Sequence, residues 1–239
     1  MISASRLVIA AGGTIGLVLI AVWAAMLNRG PDPRFLPQLA PDPVTLADGQ
    51  VLHVQQYEVT VAEWNRCHAA GACSLKVNVR PGMDPAGTPA TGLSYLDVSQ
   101  YLDWISKSSR HPFRLPTLAE WTELAAEVLP PEPDPVFSDP SLTWASAYLV
   151  ENLPRRALMP TGAFQTTSTG IADLDGSVWE WTQDCYTAAA PEACAAFYLG
   201  GEHLSVMSYL VRDPARGGCA VGSPPAHLGF RLVTDRPLS

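Results

Sequence analysis

The 239-residue sequence is poor in charge: Asp, Glu, Lys and Arg together make up 16% of it, against roughly a quarter in an average soluble domain. Basic residues are the scarcer kind, 15 Lys and Arg against 23 Asp and Glu, for a formal net charge of -8. A surface that grips a phosphate backbone needs clustered Lys and Arg, so nucleic acid is excluded as a partner class. Uninterrupted helix-forming sequence is also scarce beyond residue 30. Twenty-two prolines, none before Pro31, and 18 glycines predict a loop-rich body and exclude a helical bundle. The five histidines (His53, His68, His111, His203 and His227) show no i, i+4 pair of a metal-binding helix and read as exposed or hydrogen-bonded side chains.

What is there begins with Leu7–Leu27, a run of 21 residues without a charge. As a helix it would span about 31 Å, the thickness of a bilayer core, which predicts one transmembrane anchor with residues 1–6 on the cytoplasmic side. A cleaved signal peptide is the competing reading, because Arg6 precedes the run and Ala21, Ala24 and Ala25 are small enough for a peptidase. The run exceeds the roughly 7–15 apolar residues of such a segment, and this favours the anchor. Gly12 and Gly16 stand at G-x-x-x-G spacing, which lets a helix pack closely on a neighbouring membrane helix.

Five cysteines follow: Cys67 and Cys73, Cys185 and Cys194, and Cys219 alone. Two close pairs in Ala-, Gly- and Pro-bearing segments read as two local disulfides, which persist in an oxidising compartment. Choosing the odd cysteine and pairing the other four still leaves 15 arrangements, three for each choice. A zinc site lacks the four suitably spaced ligands. With the anchor, the cysteines place the main domain outside the cytoplasm, on the periplasmic side of a bacterial-type inner membrane.

Residues 28–50 carry five prolines and little periodicity, and read as an extended stalk below a domain over 51–239. VLHVQQYEV alternates as a strand does. Three helices are each announced by a capping pair: Thr60 with Glu63, Ser94 with Asp97, and Thr117 with Glu120. In the second, Leu96, Tyr101, Leu102 and Ile105 form the expected apolar face. GFRLVTD reads as a closing strand. Trp64, Trp104, Trp121, Trp144, Trp179 and Trp181 read as core anchors of a loop-rich domain rather than as a ligand box.

The order of several blocks is informative. YEVTVAEW (57–64), TGLSYLDVSQYLDWIS (91–106), FRLPTLAEWTELA (113–125), GIADLDGSVWEWTQD (170–184), GG (200–201) and HLGFRLV (227–233) together resemble the formylglycine-generating enzyme, or sulfatase-modifying factor, family over roughly residues 50–235. The resemblance implies an α+β fold, the family's loop-rich variant of the C-type-lectin-like fold. It also implies an oxidase that converts a substrate cysteine to formylglycine with two copper(I)-binding cysteines. In the family pattern these fall on Ser205 and Leu210, and the stretch from Gly201 to Arg216 contains no cysteine. Serine and leucine cannot supply a two-thiolate copper site, so no copper and no catalytic residue are expected. The family's iron-dependent sulfoxide synthases take histidines from a helical domain placed ahead of this one, and only the anchor and stalk precede residue 51 here.

The resemblance further implies one calcium ion, held by side-chain oxygens of Asp173 and Glu180 and the backbone carbonyls of Gly176 and Val178. The bland alternative is an acidic surface loop with Trp179 and Trp181 as anchors. The family's second calcium site has no alignable counterpart between Trp144 and Gly170. The sequence therefore points to a catalytically silent, membrane-anchored binding or accessory subunit of a membrane or periplasmic protein complex. Its rivals are an enzyme with an atypical site around Glu202, His203 and Ser205, and a calcium-dependent lectin-like binding module.

Overall fold

The computed structural model describes residues 30–129, 136–137, 142, 157–187, 193–202, 205–214 and 226–238. The expected membrane segment Leu7–Leu27, Trp144, His203 and Cys219 lie outside the described residues. Among the described residues no helix is long and apolar enough to cross a membrane.

Strands β1 (Val44–Thr45) and β2 (Val51–Val54) pair antiparallel, and β2 pairs antiparallel with β7 (Val233–Thr234) to complete a three-stranded sheet. A second sheet has the order β5 (Ser205–Ser208), β4 (Ala196–Gly200), β3 (Val178–Cys185), β6 (His227–Gly229). Its contacts are antiparallel except that between β3 and β6. The closing segment expected as one strand is thus two short ones, β6 and β7, serving different sheets. Between them Phe230 to Leu232 turn to bond the chain near residues 55–59, through Val59 N–H to Phe230 O and Gln55 N–H to Leu232 O. The strand expected over 51–59 likewise ends at Val54, because Gln55 and Val59 bond that irregular stretch rather than a ladder.

The three helices begin where their caps predict. In α1 (Val61–Ala69) Thr60 Oγ1 accepts from Glu63 N–H at 3.2 Å, and the Glu63 carboxylate accepts from Thr60 N–H at 2.8 Å. Ser94 and Asp97 make the same reciprocal pair for α2 (Tyr95–Ser109), as do Thr117 and Glu120 for α3 (Leu118–Ala125). Each box satisfies two of the backbone N–H groups that a helix start leaves without partners. Of the apolar face expected for α2, Tyr101 and Ile105 are buried and Leu96 is 47% exposed. Leu96 lies on the solvent side of the first turn, whose Asp97 and Val98 are buried.

The proline-rich segment expected as a stalk is laid against the domain from residue 30 onward. Asp32 N–H bonds Ser109 O at 2.7 Å, Arg110 reaches Gly30 O at 2.9 Å, and Phe35 meets the Trp104 ring edge-on. Leu39 bridges to Gln55, and Val44 and Thr45 supply β1. Proline sets an extended path, but Phe35, Leu36 and Leu39 give that path an apolar side, and the core takes it up.

Trp64, Trp104, Trp121, Trp179 and Trp181 are all buried, as the core reading requires. Trp64 stacks on Tyr101 with its N–H on Leu75 O, and Trp181 donates to Leu93 O. The consecutive glycines 200 and 201 are explained by two of these indoles: a Cβ at Gly200 would overlap the Trp121 ring, and one at Gly201 the Trp179 ring. Both expected disulfides are present, Cys67–Cys73 and Cys185–Cys194, with Cα separations of 5.3 and 5.8 Å.

Candidate functional site

Strand β3 carries a glutamate into the interior. Val178, Trp179, Glu180, Trp181 and Thr182 are all buried, so Glu180 needs a partner of opposite charge. The partner is Arg231, from the turn between β6 and β7, and both side chains are fully buried. Arg231 Nε and Nη2 contact the carboxylate at 2.6–2.9 Å, while Nη1 and Nη2 also bond the carbonyls of Gln55, Gln56 and Ala172. The remaining lobe of Glu180 accepts from Trp121 Nε1 at 2.9 Å. Burial opposes the charge on Arg231, but Glu180 more than offsets it and holds the guanidinium above its ordinary range.

The motif blocks are therefore partners of one another. The EW of the third block supplies Trp121, the VWEW block Glu180, the GFR block Arg231, and the GG pair the flat floor under Trp121 and Trp179. Arg114, in FRLPT, forks onto Glu120 with both bonds at 2.7 Å and reaches Asp235 at 2.6 Å, so the capping residue of α3 also carries an ion pair.

The acidic loop before β3 is not a solvated surface loop. Asp173 adopts a left-handed backbone (φ 66°), tolerable for an aspartate, and its carboxylate accepts from Gly162 N–H and from Phe164 N–H at 2.8 Å. Asp175 accepts from the backbone and side-chain amides of Gln165. Gly176 N–H turns back to Asp173 O at 3.0 Å, and Val178 opens the ladder with His227. Of the four residues implied as calcium ligands, Asp173 fits: each carboxylate oxygen has accepted one bond and keeps a lone pair. Glu180 does not fit, since Arg231 and Trp121 occupy its lone pairs.

Beside this loop runs a narrow cleft lined by Glu58, Pro89, Met159, Pro160, Phe164, Asp173, Ser177 and Val178, too tight to seat a free water. Sequence reasoning assigned Glu58 no role. It is buried, and among the described residues its Oε2 is the one buried side-chain oxygen or nitrogen without a hydrogen-bond partner. Burial, reinforced by Glu180 and Asp173 and opposed by Arg231, pushes its carboxyl up to about 8. The available signal was a charged residue inside an apolar run, Glu58 between Tyr57 and Val59, as Arg231 lies between Phe230 and Leu232. Among the described residues no three His, Cys, Asp or Glu side chains are grouped as a metal set.

Ser205 and Leu210 stand at opposite ends of the β5 segment. Ser205 is buried opposite Leu199, whereas Leu210 is 57% exposed in the turn beyond the strand. Of the scattered histidines, His68 Nδ1 lies 3.0 Å from Cys73 O and His111 Nε2 lies 2.9 Å from Thr234 Oγ1, so both are tied into the structure.

The sulfatase-modifying factor enzyme 1-like domain matches residues 19–236, most of the chain. The chain belongs to this family. The match begins upstream of residue 51, in keeping with a proline-rich segment that is built into the domain. The formylglycine-generating enzyme of Mycobacterium tuberculosis (strain ATCC 25618 / H37Rv) is 27% identical over 183 residues, covering 64% of this chain and 59% of that protein. The formylglycine-generating enzyme of Bos taurus is 26% identical over 170 residues, covering 62% and 44%. The chain thus spans less than two thirds of the length of either relative. The crystal structure of CarF shares the mixed α+β fold, with a TM-score of 0.51 at 17% identity over 84% of this chain and 97% of that one.

Proposed function

We propose that this chain is a catalytically silent member of its family, a C-type-lectin-like domain held in the bacterial inner membrane by Leu7–Leu27 and displayed on the periplasmic side. It works as a binding or accessory subunit of a membrane or periplasmic protein complex. The observation that carries this reading is the pair Ser205 and Leu210, one a buried serine and the other an exposed leucine, at the two positions where the family places its copper-binding cysteines. Copper(I) is held by soft thiolates, which neither residue provides. All four described cysteines are closed in disulfides, so they offer no thiolate either. The same disulfides support an oxidising compartment. The G-x-x-x-G face at Gly12 and Gly16 supports packing against a partner's membrane helix.

The test uses the full-length protein in mild detergent with copper(I), oxygen and a Cys-x-Pro-x-Arg peptide. The peptide mass should stay unchanged, and a copper-dependent loss matching aldehyde formation would overturn the reading. Replacing Gly12 and Gly16 with Ile should release the protein from its assembly on native gels.

A further inference from the structure

Basic side chains are few in this chain, 15 Lys and Arg within a net charge of -8, yet four of them gather where residues 30–34 join the body. Arg110, the left-handed cap of α2, donates from Nε to Gly30 O at 2.9 Å. Arg66, on the last turn of α1, donates from Nη1 to Arg34 O at 3.0 Å. Lys107 stands on the last turn of α2, three residues before Arg110. Asp32 lies buried within the group and accepts from Arg34 and Arg110, while Asp103 makes only an exposed 3.7 Å pair with Lys107. The cations of this corner reach outward: the side chains of Arg34 and Lys107 are both 78% exposed, against 10% for Asp32. The exposed carboxylates Asp48, Glu123 and Glu127 stand elsewhere, on the β1–β2 turn and on or just beyond α3. The uncharged run meets the body at the same corner, since Leu27 precedes Gly30 by three residues and Arg29 adds another cation between them.

We propose that Arg34, Arg66, Lys107 and Arg110 form a docking surface for anionic phospholipid headgroups, which holds the body against the bilayer by one face. The docking surface presupposes the anchoring proposed above and adds what a tether alone lacks, a preferred orientation. Charge complementarity and the point of chain entry both select lipid. Tethering keeps the headgroup plane within reach of this corner, so a weak attraction at each cation acts at high effective concentration. Each Lys or Arg close to an anionic membrane strengthens binding about fivefold, and the attraction fades within a Debye length.

The test places the full-length protein in lipid nanodiscs of phosphatidylcholine, or of phosphatidylcholine mixed with phosphatidylglycerol, and labels Lys107 with an uncharged amine-acylating reagent. Peptide mass should show Lys107 labelled several-fold more slowly in the mixed discs, and equally in both at about 1 M salt, where the screening length is only about 3 Å. Arg34→Gln with Arg66→Gln should weaken docking on the order of 20-fold and remove the difference at low salt. Because Arg34 also holds Asp32, the salt dependence of the wild type is the readout if that variant loosens the segment. Retention by phosphatidylcholine vesicles through a high-salt wash reads the anchor separately. A protein that washes off has no anchor, and its salt-sensitive flotation with the mixed vesicles alone then reads the docking surface. Equal labelling of Lys107 in both discs, shielding that persists at high salt, or flotation with neither vesicle would overturn the docking surface.

Discussion

Arg231 and Glu180 hold one another 51 residues apart in sequence, fully buried, at 2.6–2.9 Å. The arginine comes from the turn that passes the chain from one sheet to the other, and the glutamate from β3, one of the two inner strands of the larger sheet. Their ion pair is the point at which the two sheets, α3 and the irregular stretch at 55–59 are fastened together.

Breaking that pair from one side should therefore be severe. Arg231→Met leaves Glu180 buried without its cation and should lower stability by about 3–5 kcal/mol. Removing both charges, as Arg231→Met with Glu180→Leu, should recover a large part of the loss, because the desolvation of both ions is then avoided. Denaturant midpoints of the two single variants and the double variant measure the coupling directly.

The glycine floor predicts a different failure. Gly200→Ala sets a methyl group into the Trp121 ring and, by overpacking, should cost about 1–3 kcal/mol. The backbone of β4 cannot move without breaking its bonds to β3 and β5. Tryptophan fluorescence on unfolding reads the loss, and an unchanged midpoint would mean that the indole has room to retreat.

The disulfides give a third outcome. Cys67–Cys73 and Cys185–Cys194 close short loops, with sequence separations of 6 and 9. Each should stabilise by about 2–3 kcal/mol in the chain-entropy model. Cys67→Ala with Cys73→Ala should lower the melting temperature, and adding reductant should produce no further shift from that pair.

The acid side of the stability profile has a named origin. Burial alone would raise the Asp97 carboxyl, but hydrogen bonds from Arg212 at 2.7 Å and from the Ser94 cap outweigh it and hold Asp97 below its ordinary value of 3.8. A carboxyl depressed in the folded state contributes stability that is complete above its unfolded value and disappears as pH falls through the lower folded value. Bonds from Arg114 and Thr117 act in the same direction on Glu120 against its burial. Asp97→Asn should lower stability at neutral pH and flatten the decline below pH 3.8, measured as denaturant midpoint against pH.

Local rules carried the sequence reading furthest. Three capping boxes located three helix starts because Thr60, Ser94 and Thr117 act on backbone groups three residues away. The short spacings of Cys67–Cys73 and Cys185–Cys194 located the disulfides for a similar reason, and the tryptophans read as core because their size leaves little alternative. Residues whose partners lie far along the chain were not legible. Nothing near Glu180 in sequence indicates that Arg231 and Trp121 fill its carboxylate, or that Glu58 is left with a bare oxygen. The proline-rich segment misled for a related reason: its composition fixes an extended path, but whether that path hangs free depends on the apolar groove that receives Phe35 and Leu39.

That docked segment sets the geometry of the proposed anchoring. With Gly30 bonded to Arg110 and Asp32 to Ser109, a membrane helix ending at Leu27 has three residue steps in which to reach the body, roughly 11 Å at full extension. In that proposed arrangement the C-terminal end of α2, whose Ser109 and Arg110 hold the segment, would be the part of the body nearest the lipid headgroups.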